Sequence, residues 1–256
     1  MTTHLPPRTY LLDAGNTRCK VAQLGPNGQA QWLGSLPSHA PADEWQDFFK
    51  RLGALPARAL GVCVAGTCVQ STLVAALGCA VHWVSGASAL AGFENHYGLP
   101  HTLGADRYVA AYGAAPHATR SDFVLATLGT ATTVDWVSWD AAARVHRFEG
   151  GIIVAGLDLM LASLASGTAQ LPDASQRAAD ALTPHTAPRS THAALLQGAH
   201  LAQAAVVQAF AALHPQAQCF VAGGNAGRVA PHFTAPPTVL DQPALAGLAR
   251  LATLSV

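Results

Sequence analysis

Asp13-Ala-Gly-Asn-Thr-Arg-Cys-Lys20 follows one apolar run, Thr9-Tyr-Leu-Leu12, and precedes another, Val21-Ala-Gln-Leu24. The pattern reads as strand, tight turn, strand. Gly15 lets the backbone bend sharply and approach a ligand with no Cβ between them. Asn16 and Thr17 bring amide and hydroxyl groups, and exposed backbone N–H groups in such a turn form an anion-binding concavity. Asp13, at the strand end, can hold a Mg²⁺ ion through water, and Lys20 adds positive charge. Taken alone, the turn either grips phosphate or is an ordinary hairpin with an incidental aspartate.

A second copy bears on that choice. Asp122-Phe-Val-Leu-Ala-Thr127 is another apolar strand, Leu128-Gly-Thr-Ala-Thr-Thr133 another small-residue turn, and Val134-Asp-Trp-Val-Ser-Trp139 an extended continuation. Two related halves, each with a hairpin able to face phosphates, predict a nucleotide bound in a cleft between duplicated domains.

Composition narrows the class. The chain has 256 residues, half of them apolar and only 11% charged, which predicts a well-packed globular protein. Fourteen basic residues balance fourteen acidic ones with no basic stripe, so nucleic-acid binding has no electrostatic footprint. The twelve histidines show no metal-ligand spacing. Five cysteines at 19, 63, 68, 79 and 219 include no Cys-x-x-Cys pair and read as free thiols in a reducing compartment. Cys19 is either a reactive thiol or a small apolar filler. The first eight residues lack the layout of a signal peptide. The apolar stretches 152–165 and 195–214 carry polar residues and fit buried helices better than membrane spans. The expectation is a cytoplasmic protein with no membrane partner.

Between the two turns, strands alternate with helices. Ala42 to Leu52 has Trp45, Phe48, Phe49 and Leu52 at helical spacing. Leu60 to Gly66 reads as a strand ending in a glycine turn, Val69 to Leu77 as a helix, Val81 to Val84 as a strand and Tyr108 to Ala115 as a helix. The polar, proline-containing segment 114–121 marks the expected boundary between domains 1–116 and 117–256. Ahead of the last helix, Tyr97-Gly-Leu-Pro-His-Thr-Leu-Gly-Ala-Asp-Arg107 presents Asp106 and Arg107 side by side. A carboxylate there can take the proton of an attacking alcohol, and the guanidinium can hold an anion. The alternative is a plain helix start, where an aspartate suits the dipole.

Together these segments resemble the type III pantothenate kinases. Residues 13–20 are similar to the family's Asp-x-Gly-Asn-Thr-x-x-Lys phosphate motif. Tyr97, Pro100, Leu103, Gly104, Ala105, Asp106 and Arg107 resemble its pantothenate and catalytic motif. Gly129 to Asp135 resembles the second phosphate motif, and Gly150-Gly-Ile-Ile-Val-Ala-Gly156 with Thr168-Ala-Gln-Leu-Pro172 a further family segment. Ala222-Gly-Gly-Asn-Ala226 resembles an adenosine-side glycine turn.

The resemblance implies two duplicated ribonuclease-H-like α/β domains of the acetate and sugar kinase, Hsp70 and actin superfamily. It implies transfer of the ATP γ-phosphoryl group to pantothenate, the first step of coenzyme A synthesis. Asp13, Ala14, Gly15, Asn16, Thr17, Arg18, Cys19 and Lys20 would cradle ATP phosphates, with Asp13 near Mg²⁺ and Thr130 touching ATP from the second domain. Asp106 would be the general base. Tyr97, Gly104, Ala105, Asp106 and Arg107 would line the pantothenate site, and Thr191 would reach it from the partner subunit of a homodimer. Ser190 stands where the family has an asparagine. Thr127 stands where many members have an aspartate that binds K⁺ or NH₄⁺, so the expected dependence on a monovalent cation is weak or absent. Asp135 either compensates or is structural. Two other readings remain: a catalytically silent regulatory homologue, and a kinase for another small alcohol.

Overall fold

A computed structural model describes residues 8–53, 56–174 and 186–254. Of the first eight residues, only Arg8 is among them. The chain opens with strand β1 (Thr9–Ala14), buried from Tyr10 onward. It pairs antiparallel with β2 (Arg18–Leu24), placing Asp13 opposite Lys20 and Ala14 opposite Cys19. Next come β3 (Ala30–Pro37), helix α1 (Ala42–Arg51), β4 (Arg58–Cys63), α2 (Thr67–Leu77) and β5 (Val81–Trp83). The sheet order is β3-β2-β1-β4-β5, with β1, β4 and β5 parallel. In α1, Trp45, Phe48 and Phe49 face the sheet; Phe49 stacks on Trp45 and Tyr10, and Phe48 meets both of its helix neighbours edge-on. Its acidic first turn and basic last turn suit the helix dipole. A short strand, β6 (Phe93–Asn95), and α3 (Ala105–Ala118) follow.

The second half repeats the plan. Strands β7 (Phe123–Leu128), β8 (Ala131–Asp140) and β9 (Val145–Ala155) precede α4 (Leu157–Gly167) and α5 (Thr191–Ala212). Then β10 (Gln218–Ala222), α6 (Ala226–Val229) and β11 (Thr238–Val239) follow, and the sheet order is β11-β10-β7-β8-β9-β6. Apart from β6 at its edge this is the order of the first sheet, again with a central strand antiparallel to its hairpin partner and parallel to the strand on its other side. These are the two expected ribonuclease-H-like α/β domains. The core of the second gathers Val124, Ala126, Leu128, Val134, Leu157, Leu161 and Val207 on one face of the sheet.

A single division at residue 116 does not describe the chain. One compact unit takes the described residues up to His117, Asp140–Phe148, and those from Gln242 on; the other takes Ala118–Trp139 and Glu149–Asp241. The reason is the last helix, α7 (Pro243–Leu254), whose Leu245, Leu248 and Ala252 are buried. It crosses α3 where both helices carry glycine. A Cβ on Gly113 would run into the Pro243 carbonyl, and one on Gly247 into the Val109 carbonyl. The first residues of β9 also serve this unit, because His146–Phe148 pair with β6.

Three other expectations are corrected. The segment 114–121 is not a connection at its start, since α3 runs through Pro116 to Ala118. Proline lacks the N–H that would bond the carbonyl four residues back. Here that carbonyl, on Tyr112, accepts from Nη1 of Arg250 at 3.0 Å, and the guanidinium lies 4.0 Å from the Tyr112 ring centroid. The chain breaks instead at Thr119 and Arg120, both with positive φ. Asp106 and Arg107 stand within the first turn of α3 rather than ahead of it. Residues 152–155 are the end of β9, and α4 and α5 leave Leu159, Leu164 and Leu201 exposed.

Replacing Arg250 with Met should cost about 1–3 kcal/mol, because the Tyr112 carbonyl loses its donor. In a Pro116→Ala background the restored N–H should make the same change cheaper by about 1 kcal/mol. Urea midpoints of the four proteins check this; equal costs in both backgrounds would refute the pairing.

Candidate active site

The first hairpin is the base of the site. Gly15 N–H donates to the Arg18 carbonyl at 3.1 Å, which closes the turn. Alternation along the two strands then decides which side chains leave the sheet. Asn16, Thr17 and Arg18 are exposed, whereas Ala14 and Cys19 are buried in the first core. Ala14 and Cys19 therefore offer a phosphate only their backbones, a correction to any side-chain role. Burial, with the Asp13 charge behind it, pushes the Cys19 thiol far above its ordinary value. It is the apolar filler, not the reactive thiol. Arg18 folds onto β3 instead, donating from Nε to Ser35 Oγ at 3.0 Å and from Nη2 to the Ser35 carbonyl at 2.9 Å.

Asp13 is 7% exposed and pairs with Lys20 Nζ at 3.1 Å. The pair sits where β1 ends, opposite each other in the register. Among the described residues no group of three His, Cys, Asp or Glu side chains could cage a metal. One carboxylate oxygen beside a turn fits an ion held mainly by water and phosphates, the habit of Mg²⁺.

Asp106 shares this end of the unit. Its Oδ1 accepts from the Arg107 backbone N–H at 2.8 Å. Gly104 leaves room for it, since a Cβ there would stand 2.7 Å from that oxygen. Burial raises the Asp106 carboxyl above the usual carboxylate range despite that hydrogen bond, and the Asp13 charge raises it further.

Arg107 is 7% exposed, with its guanidinium 5.8 Å from the Tyr97 ring centroid and 5.7 Å from that of Phe148. Such distances are in the cation–π range. Phe148 had no signal in the sequence, because it comes from β9, far along the chain. Asn95 was missed too. Its Oδ1 accepts from Tyr97 N–H at 2.8 Å, and its Nδ2 donates to the Gly86 and Pro100 carbonyls at 2.7 and 3.3 Å. One side chain thus shapes the loop that carries Tyr97.

The second unit holds the other residues. Thr130 is exposed in the turn between β7 and β8, where Gly129 N–H donates to the Ala131 carbonyl at 3.1 Å. The 222–226 glycine turn docks behind it: Asn225 N–H donates to the Leu128 carbonyl at 3.0 Å, and Gly223 has φ 97°. Thr191 is the exposed first residue of α5. The preceding Ser190 caps that helix, accepting from Ala193 N–H at 3.2 Å. Serine does here what asparagine would also do.

The family model described as type III pantothenate kinase matches residues 10–212. The chain belongs to the type III pantothenate kinase family. A type III pantothenate kinase of Bordetella petrii is 38% identical over 94% of this chain and 96% of its own. Among solved structures, a Campylobacter jejuni protein described as a Baf family transcriptional activator aligns with TM-score 0.61 and 16% identity, over 96% of this chain and 98% of its own. A ROK family glucokinase of Streptomyces griseus, solved with glucose and AMPPNP, aligns with TM-score 0.54 and 13% identity, over 96% and 99%. At those identities the solved structures speak to fold. The family places the chain among phosphotransferases.

The raised Asp106 pKa carries a sign. Above the ordinary carboxylate value the folded protein binds the proton more tightly than the unfolded chain does, so ionising Asp106 destabilises the fold as pH rises. Asp106→Asn should therefore raise the ligand-free Tm at pH 8, and the gain should vanish near pH 3. A Tm gain independent of pH would refute burial as the cause.

Proposed function

We propose that the protein phosphorylates pantothenate with Mg-ATP, using Asp106 as general base. The observation that carries the base assignment is a buried carboxylate with a raised pKa next to Arg107, whose guanidinium lies against the Tyr97 and Phe148 rings. Phosphoryl transfer asks the protein for in-line positioning and charge stabilisation more than covalent chemistry. The 13–20 turn and Thr130 would hold ATP phosphates, with Lys20 supplying positive charge. Mg²⁺, held by Asp13 through water, would neutralise charge on the phosphates. Arg107 would grip the pantothenate carboxylate beside Tyr97, Gly104 and Ala105. Asp106 would accept the proton of the primary alcohol as it attacks. A carboxylate with a raised pKa is the better acceptor of that proton.

A homodimer, with Thr191 reaching the partner's pantothenate site, fits the exposed Leu159, Leu164 and Leu201 on α4 and α5. No helix among the described residues is long and apolar enough to cross a membrane; action in the cytoplasm is part of the same proposal. The cation proposal rests on Thr127, a neutral hydroxyl near the end of β7. Asp135 is a poor substitute, because it pairs in register with Leu125 inside the sheet and is 1% exposed. The enzyme should turn over without K⁺.

ADP release with Mg-ATP in K⁺-free buffer should depend on pantothenate and change less than about twofold on adding K⁺. Steep K⁺ activation would refute the cation argument and leave the kinase standing. Asp106→Asn should lower turnover by about 10²–10⁴-fold with Mg-ADP affinity retained. A variant keeping more than about a tenth of the turnover would remove Asp106 from the role of base.

A further inference from the structure

Gln203 is a polar side chain in an apolar place. It lies on α5 at 1% exposure, on the helix whose Leu196, Ala199, Ala204 and Val207 build the second core. Burying an amide costs free energy unless both of its ends are bonded. Here both are. Nε2 donates to the Ala155 carbonyl at 2.9 Å and lies 2.8 Å from the Met160 sulfur, while Oε1 accepts from the Thr132 hydroxyl. The Ala155 carbonyl can only accept, which fixes the orientation of the amide and makes Thr132 the donor.

The two residues it ties flank the second phosphate turn. Thr132 is the residue immediately after the Gly129–Ala131 turn. Ala155 is the last residue of β9, and the next, Gly156, donates its N–H to the Thr130 carbonyl at 3.0 Å. The approach there is so close that a Cβ on Gly156 would overlap the Gly129 and Thr130 carbonyls. Gln203 thus joins the strand leaving the turn to the strand end braced against it.

We infer that Gln203 is a positioning residue for the nucleotide: it fixes the Gly129–Ala131 turn from behind, so that Thr130 meets the phosphates without paying reordering entropy at each binding event. The inference rests on the proposed ATP contact of that turn. An aliphatic residue of the same size would fill the core equally well but would leave the Thr132 hydroxyl and the Ala155 carbonyl unpaired.

Two variants test it, with titration of Mg-ADP and steady-state kinetics at several pH values. Gln203→Met keeps the volume and removes both hydrogen bonds. It should weaken Mg-ADP binding and raise the KM for ATP by about tenfold, in the range of one buried hydrogen bond, with the KM for pantothenate within about twofold of wild type. Gln203→Glu should follow pH. Neutral, its hydroxyl can donate to Ala155 while its carbonyl accepts from Thr132; ionised, it cannot donate. Relative to wild type at each pH, Mg-ADP affinity should be near normal at pH 5.5 and fall as pH rises toward 8.

Equal effects of Gln203→Met on both substrates, or none on either, would overturn the inference, as would a Gln203→Glu profile parallel to wild type. If Gln203→Met does not fold, the Gln203→Glu profile decides alone. Wild-type protein that fails to bind Mg-ADP would overturn the nucleotide reading and this inference together. Wild-type protein that binds it but is indifferent to Gln203 would overturn only the inference.

Discussion

Each unit depends on one central strand with a neighbour on both sides, antiparallel to its hairpin partner and parallel to the strand across from it. A strand so placed is buried along its length, and its residues read as a nearly continuous apolar run. Polar groups can then emerge only at its carboxyl end. In β1 that end is Asp13 and the Gly15 turn; in β7 it is Thr127 and the Gly129 turn. The topology therefore concentrates the polar chemistry of both halves into two short loops. It also explains why the loops are built from glycine and small hydroxyl residues, since backbone must approach backbone there. Gly156 and Gly223 show the same demand from the other side, each pressed against the main chain of 128–130.

The periodic parts of this plan were legible in the sequence. The two hairpins, the amphipathic helix with Trp45 and Phe49, and the strand ending near Gly66 depend on neighbours within a dozen residues, and local pattern records them. What stayed hidden depends on distant partners. Pro116 reads as a helix breaker because the donor that replaces its missing N–H belongs to Arg250, and nothing near residue 116 announces that. The return of α7 to the first unit is written only in two glycines, Gly113 and Gly247, whose meaning appears once the helices cross. The site divides in the same way. The positions of Asp13, Lys20, Asp106 and Arg107 followed from motif and spacing, whereas Phe148, Asn95 and Gln203 act through contacts that no local window contains. Cys19 shows the reverse case: a residue inside a motif need not present its side chain there, because strand alternation turned it into the core.

Electrostatics separates the two hairpins. The first carries a carboxylate and an ammonium facing each other across the strand pair, and a second carboxylate close enough to be perturbed by the first. The second carries only hydroxyls and backbone at the corresponding strand end. The first hairpin therefore carries charge at its strand end and the second does not. The geometry of the second turn is fixed by bonds from behind, which is where Gln203 and Gly156 lie.

The likeness to a protein described as a transcriptional activator leaves fold and function separable, and the choice between them has to come from the site. Here the energetics are informative. Asp106 is held above its ordinary pKa, so at neutral pH its ionised form works against the stability of the unit that contains it. Arg107 is kept nearly buried against the Tyr97 and Phe148 rings, where a cation gives up hydration. A fold with no use for these groups would be more stable with a neutral amide at one position and an aliphatic chain at the other. Costly ionisation beside the Gly15 turn points to a site in use. It argues for turnover over a silent scaffold, because a scaffold needs the hairpins and the crossing of α3 with α7 but has no need of a carboxylate that resists its own charge.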